Sequence, residues 1–247
     1  MRDRFGATNP RAQALRFHAQ TGGSTLTAQQ PENNVVRVAV QALSAVCGGA
    51  QSIHTNAFDE ALALPTERSA RIALRAQQIL AHEAGGTDTA DPLGGAYFIE
   101  TLTRELEERA WELIEGIDQL GGAVKAIEQG FVQREIEEAA YEHTRRVDAG
   151  ERAIVGVNRF QEGEEEEEEE IELLTIDPAG ERRQIERTAR VRAEREAAAA
   201  EEALRRVRDC ARGDANLLNP LRDALAARCT VGEICNTLRD EFGTHDR

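Results

Sequence analysis

Two short apolar runs, each followed by a polar stretch and then a helical pattern, organise the first third of this chain. Ala14 to Ala19 reads as a strand, and Ala50 to His54 repeats it. Between them, Val35 to Val46 is strongly apolar, with Val36, Val40, Leu43 and Cys47 on one stripe, which predicts a buried helix. Gly48-Gly49 stops it. After the second strand, Pro65 and Thr66 punctuate the chain before a helix from about Glu67 to Glu83, closed by Gly85-Gly86. Strand, helix, strand, helix predicts a βα repeat on a parallel sheet. No third unit follows, whereas a closed barrel needs eight. The pattern fits a small αβ sandwich or the end of a barrel whose other strands lie elsewhere. The polar start, Met1 to Gln13, reads as a loop or the end of an element that begins earlier.

From Asp91-Pro92-Leu93-Gly94-Gly95 onward the period becomes helical. Ile99, Leu102, Leu106, Ala110, Leu113 and Ile117 define a long amphipathic helix to Leu120, broken by Gly121-Gly122. Ala123 to Glu128 and Phe131 to Ala149 predict two more helices, and Val155-Gly156-Val157-Asn158 an extended piece. Their apolar stripes should pack on the sheet or on a partner. Glu164 to Glu170 is a run of like charge that predicts a solvated, disordered linker. Ile171 to Asp177 reads as a short strand, and Glu181 to Arg212 as one long exposed helix laced by i,i+4 ion pairs. Two short helices finish the chain, Asn219 to Arg228 and Thr230 to Phe242, the second opened by a Thr230/Glu233 capping box.

Composition narrows the function classes. A length of 247 residues can bury a real core, and a formal charge of -15 argues against nucleic-acid binding. No run of about 18 apolar residues exists to span a membrane. Met1-Arg2-Asp3-Arg4-Phe5-Gly6 lacks the apolar segment of a signal peptide, so a cytoplasmic protein is expected. Lys125 is the single lysine among 30 basic residues, and acidic excess with scarce lysine suits a chain that stays hydrated in high salt. Cys47, Cys210, Cys229 and Cys235 form no Cys-x-x-Cys pair and no zinc spacing, which predicts structural thiols, with Cys47 buried.

The candidate chemistry gathers behind the two strands. Arg16 to Asn34 is too long and too rich in amides, hydroxyls and glycine for an ordinary turn, and loops at the carboxyl edge of a parallel sheet are where α/β folds bind ligands. His18 and His54 sit near the strand ends with Gln20 and Asn56 two residues further on, so each pair shares a face. Glu60, four residues past Asn56, shares a helical face with it, and an amide with a carboxylate can grip a diol such as a ribose. There is no Gly-x-Ser-x-Gly elbow, P-loop or Gly-x-Gly-x-x-Gly fingerprint. A metal-dependent hydrolase using His18 and His54 lacks a third ligand at sensible spacing.

These residues also carry a resemblance. Arg16-Phe17-His18-Ala19-Gln20-Thr21-Gly22-Gly23, Leu26-Thr27-Ala28-Gln29, the stretch from Gln51 to Thr66, Asp91-Pro92-Leu93-Gly94-Gly95 and Gly156-Val157-Asn158 resemble the methylmalonyl-CoA mutase family. The likeness extends more loosely to Phe242, with the glutamate run and part of the next helix looking like an insertion. It covers only the second part of that family's catalytic subunit. The resemblance implies an α/β chain: residues 1–90 as the last two βα units of a (β/α)8 TIM barrel, then a helical region (91–160), an acidic linker (161–180) and a helical tail (181–247). Arg16 to Gln20 would be the seventh strand and Ala50 to His54 the eighth.

The resemblance implies adenosylcobalamin as cofactor and an acyl-CoA as substrate, with a radical interconversion of methylmalonyl-CoA and succinyl-CoA. Position by position, Gln20 and Gly23 would lie against the corrin, Asn56 and Glu60 would hold the adenosyl ribose, and Ala61 and Ala63 would face the same cavity. His18 and Gln51 would line the substrate tunnel. The family's substrate-carboxylate arginine, thioester-binding histidine and gating tyrosine belong to earlier strands, and its Asp-x-His-x-x-Gly cobalamin signature has no counterpart here. Expected partners are therefore a separate cobalamin-binding small subunit and the missing N-terminal part of the large subunit, without which the chain should be inactive. A sister mutase acting on isobutyryl- or 2-hydroxyisobutyryl-CoA, or a non-catalytic subunit docking a mutase partner, are the alternatives.

Overall fold

Two single-turn helices, α1 (Arg2–Phe5) and α2 (Pro10–Gln13), lead into strand β1 (His18–Gln20) in the computed structural model, which describes residues 1–86, 88–161 and 171–244. The polar start is thus partly helical: Asn9 accepts from the Arg11 amide and Pro10 opens α2. Helix α3 (Asn33–Cys47), strand β2 (Ser52–His54) and helix α4 (Glu67–His82) follow. β1 and β2 pair in parallel as a two-stranded sheet, so the chain is α/β as expected. The described residues divide into two compact units, Met1–Leu174 and Thr175–Arg247.

In the first unit α3 packs on α4 and on β2. Its buried residues are Asn34, Val38 and Ala42, whereas Val36, Val40 and Leu43 are exposed. The expected stripe is therefore the wrong one. Apolar residues flank the stripe of Asn34, Arg37, Gln41 and Ser44 on both sides, and that pattern alone does not choose between the two apolar faces. Cys47 is half-buried rather than buried. α4 is opened by Thr66, whose hydroxyl accepts from the Ser69 amide, and it buries Ser69, Ala73 and Ala76. Ala42, Val46, Ile53 and Leu80 line a cavity of about 230 Å³ between these elements.

Helices α5 (Tyr97–Gln119), α6 (Ala123–Glu128) and α7 (Phe131–Asp148) form a second group, with α6 packed on both neighbours through buried Ala126. Neither α5 nor α7 buries any residue. The segment after α7 is a tight turn closed by a Val155–Arg159 bridge, not an extended piece. Asn158 builds it, accepting from the Ile154 amide and donating to the Val147 and Arg152 carbonyls. Gly156 has φ +81°, and a Cβ there would lie 3.1 Å from the Gln30 side chain.

The second unit holds α8 (Pro178–Glu194), α9 (Ala197–Ala211), α10 (Leu218–Ala226) and α11 (Val231–Phe242). Residues 171–177 are not a strand; Asp177 instead caps α8, accepting from the Ala179 amide ahead of Pro178. The single long helix expected over 181–212 is two helices, broken where Arg195 is extended (ψ 158°). That residue turns out of the helix to pair with Glu233 and to donate to the Arg228 carbonyl. The break is tertiary in origin, because no Pro or Gly marks it.

α9 is also not an exposed helix. Ala200, Ala203 and Val207 are fully buried against Ala224, Cys229 and Ile234, forming the core of the unit. Three of its ion pairs, Arg208 to Asp240, Arg212 to Glu241 and Arg206 to Asp223, run between helices, beside an i,i+3 pair of Arg205 with Glu202 inside α9. The Thr230/Glu233 capping box is formed as expected. All four cysteines are free. The run Glu164 to Glu170 lies outside the described residues. No helix among the described residues is long and apolar enough to cross a membrane.

Candidate functional site

The parallel register pairs His18 with Ser52, Ala19 with Ile53 and Gln20 with His54. The two histidines are therefore offset by two residues instead of standing level. His18 Nδ1 lies 2.9 Å from the Ser52 hydroxyl, and His18, Gln20, Ser52 and His54 form an exposed polar face opposite half-buried Ala19 and Ile53. Beyond the carboxyl ends the strands are stitched together: the Thr21 amide donates to the His54 carbonyl at 3.0 Å, and the Asn56 amide to the buried Thr21 hydroxyl at 2.9 Å.

That stitching brings four of the candidate residues into one rim. Gln20 Nε2 donates to Asn56 Oδ1 at 3.0 Å. A Cβ added at Gly23 would meet Asn56 Nδ2 at 2.9 Å and Glu60 Oε1 at 3.3 Å, so the glycine lets the loop press against both side chains. Asn56 is 1 % exposed, and its Nδ2 is a buried donor with no acceptor among the described residues. An unsatisfied buried amide costs about 1–3 kcal/mol, so a ligand acceptor there would recover real stability. Glu60 is exposed beside it and brings a carboxylate to the same edge.

Other candidates fall elsewhere. Ala61 is exposed and Ala63 half-buried on the turn after Glu60, which is closed by the Leu62 and Ala63 amides donating to the Asp59 carbonyl. Gln51 sits at the opposite, amino end of β2. Its Oε1 accepts from the Phe17 amide at 2.7 Å and its Nε2 donates to the Gly49 carbonyl at 2.6 Å, which ties the strand entries together. Among the described residues no three His, Cys, Asp or Glu side chains cluster to hold a metal ion.

Sequence reasoning missed the residues that hold the rim in place. Gln41 accepts from the Gly22 amide at 2.6 Å and donates to the Thr25 hydroxyl, fixing the glycine loop to α3. Asp59 is fully buried, with one carboxylate oxygen accepting from the Thr66 amide at the start of α4 and the other without a partner among the described residues. Asn34 is fully buried as well. The only signal for these was a polar side chain inside an apolar pattern, which marks a position without naming its partner.

The sequence profile of methylmalonyl-CoA mutase matches residues 1–244. The chain belongs to the methylmalonyl-CoA mutase family. It is 46 % identical over 246 residues to the 2-hydroxyisobutanoyl-CoA mutase large subunit of Aquincola tertiaricarbonis, covering 99 % of this chain and 43 % of that protein. It is 48 % identical over 233 residues to methylmalonyl-CoA mutase of Rhizobium meliloti (strain 1021), covering 94 % of this chain and 32 % of the relative. Human mitochondrial methylmalonyl-CoA mutase is 46 % identical over 243 residues, 98 % of this chain and 32 % of that protein. As a member of the methylmalonyl-CoA mutase family, this chain spans less than half the length of these relatives.

Proposed function

We propose that this chain forms the cofactor-side rim of an adenosylcobalamin-dependent acyl-CoA mutase that interconverts methylmalonyl-CoA and succinyl-CoA. Residues 1–90 would contribute the last two βα units of a (β/α)8 barrel, followed by helical regions over 91–160 and 181–247 with an acidic linker between them. One observation carries the reading. The Gly23 loop closes directly onto Asn56 and Glu60, and Asn56 keeps a buried donor unspent at the carboxyl edge of a parallel sheet.

That donor set fits the cofactor. Asn56 Nδ2 would donate to one ribose hydroxyl and Glu60 would accept from its neighbour, the arrangement a vicinal diol requires. Gln20, already bonded to Asn56, would fix the amide's orientation, while the Gly23 backbone, pressed onto Asn56 and Glu60, and the small side chains of Ala61 and Ala63 would lie against a broad flat ring. Adenosylcobalamin supplies hydrogen-atom abstraction chemistry when bound. The chain's own residues would orient its adenosyl group and keep water from it. His18 and Gln51, spaced along the two strands, would line the substrate's path.

The remaining barrel strands and a cobalamin-binding small subunit would complete the site. The Aquincola relative's designation as a large subunit supports such a division. The same relative supports a second substrate reading, 2-hydroxyisobutyryl-CoA. Purified chain with adenosylcobalamin should show no turnover of methylmalonyl-CoA, and turnover by the chain alone would refute the division. In the assembled enzyme, a panel of acyl-CoA thioesters separates the two substrates. Asn56→Ala should weaken adenosylcobalamin about tenfold or more, as expected for a hydrogen bond lost in a buried site. It should leave hydroxocobalamin, which lacks the adenosyl ribose, within twofold. An unchanged ratio between the two cobalamins would sink the ribose assignment.

A further inference from the structure

The rim consists of two loops from different βα units, and one buried side chain touches both. Asn34, in the first turn of α3, is fully buried. Its Nδ2 donates to the Thr27 carbonyl at 2.9 Å and to the Phe58 carbonyl at 2.8 Å. Its Oδ1 accepts from the Thr27 amide at 3.1 Å and from Arg37 Nη1 at 2.8 Å. All four hydrogen-bonding positions of the amide are used, and the two carbonyls fix which end is nitrogen. Thr27 closes the loop that carries Gly23. Phe58 lies midway between Asn56 and Glu60.

The helix itself does not ask for asparagine at this position, since an alanine there would form α3 at least as well. The bonds instead span segments that are 7 and 24 residues away in the chain. Arg37 adds a second layer. It also donates to the Thr27 hydroxyl at 3.0 Å and to the Val155 carbonyl at 2.7 Å, so the cation that holds the amide's oxygen is itself anchored to the Thr27 loop and to the turn that carries Gly156.

We propose that Asn34 is the positioning residue of this site: its buried amide sets the spacing between the Gly23 loop and the Asn56–Glu60 turn, and Arg37 locks that amide in orientation. The proposal rests on the reading that Asn56 and Glu60 hold the adenosyl ribose. Asn34 touches neither ligand-facing side chain and acts only through the two backbones it joins.

Asn34→Asp is the selective perturbation. The carboxylate keeps the shape and the acceptor toward Arg37 and the Thr27 amide, but turns an oxygen toward two carbonyl oxygens and forces the loops apart. The measurement is the affinity of the chain, assembled with the other polypeptides of its own mutase, for adenosylcobalamin and for hydroxocobalamin. Asn34→Asp should weaken adenosylcobalamin about tenfold, as two lost hydrogen bonds and a new repulsion imply, and weaken hydroxocobalamin, which meets only the corrin-facing side of the rim, about threefold or less. Asn56→Ala, measured in parallel, should give the same pattern.

An unchanged ratio in Asn34→Asp, with the ratio collapsed in Asn56→Ala, overturns the positioning role and leaves the ribose reading standing. Equal weakening of both cobalamins by Asn34→Asp also overturns it, since that is what a general loosening of the fold would produce. An unchanged ratio in Asn56→Ala removes the ribose reading and this proposal with it. If Asn34→Asp does not fold by far-UV circular dichroism, Arg37→Met at a half-buried position carries the same test. A selective loss for adenosylcobalamin supports the role there, and an unchanged ratio overturns it.

Discussion

Replacing Glu233 by glutamine removes the charge from an ion pair whose partners are both mostly covered, Arg195 at 15 % and Glu233 at 21 % side-chain exposure. The pair is bidentate, with both distances 2.6 Å, and Glu233 also accepts from the Thr230 amide and hydroxyl at 2.8 Å. The Arg195 hydrogen bonds, helped by Thr230 and opposed by burial, lower the Glu233 carboxyl from 4.5 to about 2. At about 1.4 kcal/mol per pH unit, that depression corresponds to about 3 kcal/mol of folding stability. Partial exposure screens the pair, and glutamine can still accept one bond, so about 2 kcal/mol is the expected cost of Glu233→Gln at pH 7.

The pH dependence has a definite sign. A carboxyl depressed in the folded state stabilises above its unfolded pKa and loses that contribution as the pH falls through the folded one. The gap between parent and variant should therefore be full above about pH 4.5 and close progressively toward about pH 2. Trp111 and both tyrosines, Tyr97 and Tyr141, belong to the first unit. Urea unfolding followed by far-UV circular dichroism, with Trp111 fluorescence as the first-unit control, thus isolates the second unit's transition. A cost under about 0.5 kcal/mol at pH 7, the range of an ordinary exposed pair, would refute the reasoning. So would a gap of the same size at pH 7 and pH 2.5.

Two further substitutions follow from packing. Gly23→Ala places a Cβ 2.9 Å from Asn56 Nδ2, so it should cost about 1–3 kcal/mol in urea unfolding and weaken adenosylcobalamin in the assembled enzyme. A neutral effect on both would contradict the close approach. Val207→Ala empties part of the core that α9 shares with α10 and α11, and should cost about 2 kcal/mol in the second unit's transition, with no change in the Trp111 signal.

What the sequence disclosed was local and periodic: the two strands, the helix stops at Gly48 and Gly121, and the Thr230/Glu233 box. What it hid was tertiary. The echo of His18-x-Gln20 in His54-x-Asn56 put each pair on one strand face but carried no register, and the pairing sets Gln20 beside His54. Gln20 nevertheless reaches on to Asn56, two residues past the strand end. Nothing local marks Arg195 as a helix end, because its reason is Glu233, far away in the chain. The Arg, Glu and Ala of α9 likewise read as exposed, as those of α8 are, since alanine is as compatible with a surface as with a tightly packed core.

Gly23 and α3 show the same limit from two sides. From sequence, a glycine beside a ligand loop is explained by the ligand's approach; in the fold, the protein's own Asn56 and Glu60 already take the space a Cβ would fill. A helix with apolar residues on both sides of its polar stripe predicts burial but not by what. Val38 and Ala42 are buried on the side packed on α4 and β2, while Val36 and Val40 stay 65 % and 62 % exposed. The two cases have one physical origin. Hydrophobic pattern and residue size report how much contact a position demands, whereas the identity of the contact is settled by pairing register and by buried amides such as Asn34. These are interactions between segments that no window of the sequence contains.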